Sequence, residues 1–351
     1  MKIFAFRVML ASTVALASGA SAVAQSEPPK ADAQLVERAK SEGRVVWYTS
    51  IPASGSQPVA DAFMKQYPEI KVEVQRLAGF GLWQRISAEF QAGKPLADVY
   101  SQADYSVRKQ AAEQGSIEKY IPPSAHDYPA EFLDKDGYGF STRVVCIAIG
   151  YNTNLVDASK APKRWTDLLD KQWSDKKIGI TDPRSTGTAF AGFWQIRNTA
   201  GLGEDYIKKL AAQKPVLYED SGLQINALVS GEYPIQVLND YRVWELQTKG
   251  APVKLVYPED GTPCTNDYTA LVAKAPHPNA AKLFMDFYAS QKGTDALASK
   301  LMTYVVRKDV PVYPTGVGRP ELTEIKLLAS DPEKQSNEYD SFNKWFTSVV
   351  E

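Results

Sequence analysis

Val45-Val46-Trp47-Tyr48, then Thr49-Ser50-Ile51-Pro52-Ala53-Ser54-Gly55-Ser56, then Val59, Ala62, Phe63 and Gln66-Tyr67 up to Pro68, is the stretch on which the fold turns. β-Branched and aromatic residues in a row read as a buried strand. The polar run reads as a turn, and apolar residues spaced three and four apart mark one helix face, which proline stops. Upstream, a helix pattern from Ala33 to Glu42 ends at Gly43. Downstream the grammar repeats. Ile70-Lys71-Val72-Glu73-Val74 alternates as a strand, Ala78-Gly79-Phe80-Gly81 is a loop, and Leu82 to Gln91 is a helix stopped at Gly93. Ala97-Asp98-Val99-Tyr100 is a third short strand. Strand, loop and helix in succession predict an α/β fold with a mostly parallel sheet covered by helices.

A second strand–helix unit follows the apolar strand Arg143 to Tyr151, which Tyr151-Asn152-Thr153-Asn154 closes with turn chemistry. Ile178-Gly179-Ile180 is a strand, and Asp182-Pro183-Arg184-Ser185-Thr186-Gly187-Thr188 leads into a helix from Ala189 to Asn198. Ile235 to Leu238 is a strand before Asn239-Asp240-Tyr241-Arg242, and Val253 to Tyr257 and Thr269 to Ala273 are further strands. Asn279 to Ser290 is an amphipathic helix. In such sheets ligands gather where strands end and helices begin, because the first N–H groups of a helix are unpaired and carry partial positive charge.

The 351 residues, 44% hydrophobic and 23% charged, allow two domains and exclude a disordered or fibrous chain. Forty Lys and Arg against 41 Asp and Glu leave a formal charge of -1, so no basic excess advertises nucleic acid or an anionic membrane as partner. Lys2 and Arg7 flank an apolar run from Val8 to Ala17, and Ala22-Val23-Ala24 follows. This predicts a signal peptide over residues 1–24 and export to an oxidising compartment. There Cys146 and Cys264 are either joined or two small buried thiols, and spacing alone does not decide between them.

Catalytic signatures are missing. Gly79-Phe80-Gly81-Leu82-Trp83-Gln84 lacks the third glycine of a dinucleotide fingerprint, and no Gly-Lys-Ser/Thr phosphate loop or Gly-x-Ser-x-Gly elbow occurs. His126 and His277 both lie in Pro-rich stretches and read as surface-loop residues. No enzymatic activity, cofactor or resident metal is expected.

The succession resembles the extracellular solute-binding proteins of ABC importers, in the group that holds the ferric-iron, thiamine, sugar-phosphate and aminoethylphosphonate binders. Matching stretches include Phe63-Met64-Lys65-Gln66-Tyr67-Pro68, Ile149-Gly150-Tyr151-Asn152-Thr153-Asn154, Trp165-Thr166-Asp167-Leu168-Leu169, Asp182 to Thr188, and Gly250-Ala251-Pro252-Val253-Lys254 with Tyr257-Pro258-Glu259-Asp260-Gly261. The resemblance implies a two-lobed periplasmic binding protein type II fold with two β crossovers at the hinge, near Cys146 to Asn152 and near Thr262 to Ala270. Lobe 1 would take residues 25–148 and 266–351, with part of the C-terminal tail packing on lobe 2, and lobe 2 residues 149–265. It further implies a periplasmic monomer that closes on a solute and delivers it to an ABC permease of the inner membrane.

In ferric-iron members of that group, two adjacent tyrosines upstream of the Gly-Ala-Pro segment grip the metal. Counting back from Gly250-Ala251-Pro252 places the pair on Tyr241 and Arg242, so one phenol is replaced by a guanidinium that repels a cation and suits an oxyanion. The expected ligand is therefore a small organic anion, with ferric iron on Tyr241 plus a synergistic anion as the main alternative and an exported hydrolase as a remoter one. The candidate solute-binding residues are Thr49, Ser50 and Ser54 in the first strand-end loop, and Gly79, Phe80 and Trp83 in the second. Tyr105, Arg143, Ser185, Thr186, Gly187, Thr188, Tyr241 and Arg242 complete the set. Several have a structural alternative: packing for Phe80 and Trp83, helix capping for Ser185, Thr186 and Thr188, a salt bridge at the core edge for Arg143, and a surface ion pair with Glu245 or Asp240 for Arg242.

Overall fold

The structure, a computed structural model, describes residues 32–77, 81–103, 105–219 and 221–351, with Tyr105 and Ser106 through their backbone alone. The expected signal peptide, residues 1–24, lies outside the described residues. In chain order the first part runs α1 (Ala33–Glu42), β1 (Arg44–Thr49), α2 (Ala53–Gln66), β2 (Lys71–Arg76), α3 (Gly81–Gln91), β3 (Val99–Gln102), α4 (Tyr105–Gln114), β4 (Ile117–Glu118) and β5 (Gly139–Asn152). The middle runs β6 (Ile178–Thr181), α5 (Gly187–Arg197), α6 (Gly203–Ala212), β7 (Val216–Tyr218), α7 (Ser221–Ser230), β8 (Ile235–Asn239), α8 (Asp240–Gln247), β9 (Val253–Val256) and β10 (Cys264–Val272). α9 (Pro278–Ala289), α10 (Gln291–Leu301), β11 (Tyr304–Val305) and α11 (Pro332–Val350) complete it.

β5 is buried along its whole length and belongs to two sheets. Its first part, Gly139 to Cys146, pairs with β10, and β10 continues to β3, β1 and β2. From Ile147 on, β5 pairs with β8 and β9, and β8 continues to β6 and β7. The expected two-sheet α/β arrangement is thus present, as a mixed rather than mostly parallel sheet. β1, β2 and β3 are mutually parallel, as are β6, β7 and β8, while β5 and β10 run antiparallel to their neighbours. A strand returns parallel only after a long crossover, and the hinge strands arrive without one.

The polar run Ala53 to Gln57 is helix rather than turn. Gly55 lets α10 approach so closely that a Cβ there would sit 2.8 Å from Leu301, and Ser56 folds its hydroxyl onto the Pro52 carbonyl at 3.2 Å. Tertiary packing, not local propensity, starts this helix. Around the first sheet the core is aromatic: Trp47 lies 5.1 Å from Phe284 and 5.3 Å from Tyr288, centroid to centroid. The second sheet's core takes in Phe190 and Phe193 of α5 together with Phe342 and Phe346 of α11. α11 also touches the first half, since Lys109 of α4 donates to Asn337 at 2.7 Å.

Cys146 and Cys264 are joined, which resolves the question that spacing left open. They are the last cross-strand pair of the first sheet, and the next residue, Ile147, opens the second. The disulfide therefore sits at the point where the chain passes from one sheet to the other.

Candidate functional site

The C-terminal ends of six strands, three from each parallel set, converge on one cleft between the two sheets. From the first half it is lined by Ser50 after β1, Arg76 at the end of β2, and Gln102 at the end of β3, with Pro52 and Ala103. β5 contributes Arg143 and Val145, and the second half contributes Thr186, Gly187 and Thr188 after β6, Ser221 after β7, and Asn239, Tyr241 and Arg242 after β8. Strand ends are where an open α/β sheet presents loops and helix N-termini to a ligand.

Thr186 is the N-cap of α5, accepting from the Ala189 N–H at 3.3 Å, so the first-turn N–H groups of Gly187 and Thr188 stand at the cleft wall. Capping and facing the ligand are compatible roles here, because the cap orients the first turn without covering it. Arg143 sends Nε and Nη2 to Oδ2 of Asp267, both at 2.5 Å. Its Nη1 is buried without a partner, although the residue is only 3% exposed. Burial pushes the Asp267 carboxyl above the ordinary carboxylate range, and the Arg143 charge opposes that shift. An unpaired guanidinium N–H in a buried wall is a donor waiting for an acceptor.

Arg242 has two rivals for its charge, and neither takes it fully. Glu245 lies 3.9 Å from Nη1 but is engaged by Lys249 at 2.9 Å. Asp240 is held by Arg319 at 3.1 Å and by the Tyr257 hydroxyl at 2.9 Å. Burial pushes the Asp240 carboxyl up, and Arg319 and Tyr257 pull it back. Arg242 Nε is left buried and unpartnered. The guanidinium lies 5.3 Å from the Tyr241 ring centroid, and that of Arg143 lies 5.6 Å from the same ring. Tyr241 is thus flanked by two cations. Among the described residues the lining holds three arginines and no carboxylate.

Of the residues singled out from sequence, Ser50, Arg143, Thr186, Gly187, Thr188, Tyr241 and Arg242 meet in this cleft. Others do not. Thr49 is fully buried and accepts from the Ile51 N–H at 3.0 Å on its hydroxyl, and Ser54 lies in α2, outside the lining, with its hydroxyl buried and unpartnered. Trp83 packs on the core formed by Leu82 and Ile86, its packing alternative. Ser185 turns its hydroxyl to the Asp182 carbonyl at 3.3 Å, while Arg184 forks onto Asp182 and braces the loop. Gly79 and Phe80 lie outside the described residues, as does the Tyr105 side chain. His277 is half-buried rather than a free loop residue, with Nδ1 2.9 Å from Asp98.

Sequence reading missed Arg76, Gln102, Ser221 and Asn239, with Pro52, Ala103 and Val145. It ended the second and third strands at Val74 and Tyr100, two residues short of Arg76 and Gln102. A strand-end rule applied to the true ends would have found both. Ser221 heads α7, a helix with no strong amphipathic signal. Among the described residues no cluster of three or more His, Cys, Asp or Glu could hold a metal ion.

Residues 94–329 match the family described as bacterial extracellular solute-binding protein. The chain is 26% identical over 330 residues to a probable ABC transporter periplasmic-binding protein of Sinorhizobium fredii, covering 91% of this chain and 86% of that one. Among solved structures it resembles the periplasmic binding protein AfuA from Actinobacillus pleuropneumoniae, solved with exogenous fructose-6-phosphate bound. The TM-score is 0.76 at 25% identity, over 88% of this chain and 98% of that chain. Iron-bound HitA from Pseudomonas aeruginosa matches with a TM-score of 0.74 at 22% identity, over 86% and 99%.

Proposed function

Since this chain belongs to the bacterial extracellular solute-binding protein family and serves an ABC transporter as its periplasmic solute-binding component, we propose that its solute is a small organic anion, a carboxylate, phosphonate or phosphate ester. The observation that carries this reading is the wall of the cleft, where Arg143 and Arg242, with Arg76 beside them, stand with no carboxylate among the described lining residues. Arg143 Nη1 and Arg242 Nε supply buried, unpartnered donors, and the start of α5 lines the same cleft. A guanidinium offers an oxyanion a planar fork, and a helix N-terminus adds partial positive charge. The fructose-6-phosphate bound to AfuA is an anion of the proposed class.

Closure would bring residues 25–148 and 266–331 against residues 149–265, with α11 moving as part of the second body because Phe342 and Phe346 lie in its core. The solute stabilises the closed form by touching both bodies. Ferric iron on Tyr241 with a synergistic anion is the second reading, favoured by the phenol's place in the cleft and by the iron bound to HitA. Against it, Arg242 stands where a second phenol would be needed.

Thermal-shift and calorimetric titration separate the two. Fructose 6-phosphate, inorganic phosphate, phosphonates and small carboxylates are the probes, and one of them should stabilise the protein by about 2.7 kcal/mol at a hundredfold excess over its Kd. Stabilisation and a phenolate charge-transfer colour with Fe³⁺, with no response to organic anions alone, would replace the organic-anion reading by the iron one.

A further inference from the structure

The chain passes between the two halves three times among the described residues: along β5, between β9 and β10, and from β11 to α11. All three passages meet at the Asp240 carboxylate, the first residue of α8 and fully buried. The Cys146 N–H of β5 donates to Oδ1 at 3.3 Å. The Tyr257 hydroxyl, from the second passage, donates to Oδ2 at 2.9 Å, and Arg319, from the third, donates Nη2 to the same oxygen at 3.1 Å. Arg319 is itself held from the other side. Its Nη1 donates to the carbonyls of Met302 and Tyr313, and its guanidinium lies 3.9 Å from the Tyr304 ring centroid.

The two residues after Asp240 are Tyr241 and Arg242, both on the cleft wall. A carboxylate with three donors from three passages has one position it can take, and the first turn of α8 is carried with it. We infer that Asp240 and Arg319 are positioning residues for the solute site, Arg319 acting through Asp240 to set the direction of Arg242. None of these contacts runs through the solute, so the site is aimed before the solute arrives. The inference rests on the organic-anion reading only for its effect on affinity, not for its effect on α8.

Arg319→Lys keeps the charge but loses the fork and the stacking on Tyr304. Tyr257→Phe removes a single hydroxyl and serves where the arginine variant does not fold. Hydrogen exchange of the unliganded protein is read first: amides of residues 240–243 should exchange about tenfold faster or more, with β1 and α9 unchanged. Fructose 6-phosphate and inorganic phosphate are then titrated. For whichever binds the unmodified protein, affinity should fall about tenfold or more, and the fall should shrink to about threefold or less when Arg242→Ala is already present, the mark of action through that residue. Exchange that rises evenly through the molecule, exchange that does not rise, or an affinity loss undiminished in the Arg242→Ala background would overturn the inference. Failure of the unmodified protein to bind either probe would count against the sugar-phosphate and phosphate ligands, and the exchange result would still decide the role of Arg319.

Discussion

Arg242 carries the sharpest residue-scale expectation. Its Nε is buried and unpartnered, and the nearest ion-pair partner among the described residues, Glu245, is 3.9 Å from Nη1. Arg242→Ala should weaken an organic anion by roughly 2 to 4 kcal/mol, measured by calorimetry, because a buried charge contact is lost. An unchanged Kd would take Arg242 out of the site. Tyr241→Phe keeps the ring between the two guanidinium groups and removes only the hydroxyl. Anion affinity should then change by no more than a few fold, whereas any colour with Fe³⁺ should vanish. At this scale the alignment to the Gly250-Ala251-Pro252 segment made Tyr241 and Arg242 legible, but the sequence could not show which carboxylate Arg143 faces. Asp267 lies 124 positions away and becomes its partner only through the β5–β10 register.

At the scale of elements, α5 is apolar on every side and buried from Gly187 through Ile196 apart from Thr188, so its N-terminus is fixed by packing as well as by its cap. Thr186→Ala removes the side-chain acceptor for Ala189 and should cost about 1 kcal/mol of stability in urea unfolding. If the start of α5 faces the anion, affinity should fall as well. A stability loss with unchanged affinity would confine Thr186 to capping. Strands and helices with clear periodicity, such as β1, α3 and α9, were readable from hydrophobic spacing. α4, α6, α7, α10 and α11 were not singled out. For α7 the reason is physical: apolar and polar residues alternate without one clean face, since Gln224 is buried between Thr181, at 2.5 Å, and the Val237 carbonyl, at 2.8 Å.

For the whole molecule, the disulfide joins residues separated by 118 positions at the junction of the two sheets. Closing so long a loop restricts the unfolded chain, and the chain-entropy treatment puts the effect near 4 to 5 kcal/mol. Replacing both cysteines by serine should lower the urea midpoint accordingly, and a midpoint unchanged within error would show that the hinge strands are held by their ladder and core alone. Attraction between anion and arginines should also weaken as salt rises, modestly, because Arg143 is buried and Arg76 is not. The chain's own order of residues determined the α/β class, the strand–loop–helix rhythm and the place of a guanidinium beside Tyr241, because these follow from local periodicity and from short segments met in a fixed order. Only the tertiary structure decided that Cys146 meets Cys264, that Asp267 takes up part of Arg143, and that three separate passages end on Asp240. Those pairings lie 79 or more positions apart, apart from Tyr257 and Asp240, and arise when β5 threads two sheets, a geometry that no local pattern encodes.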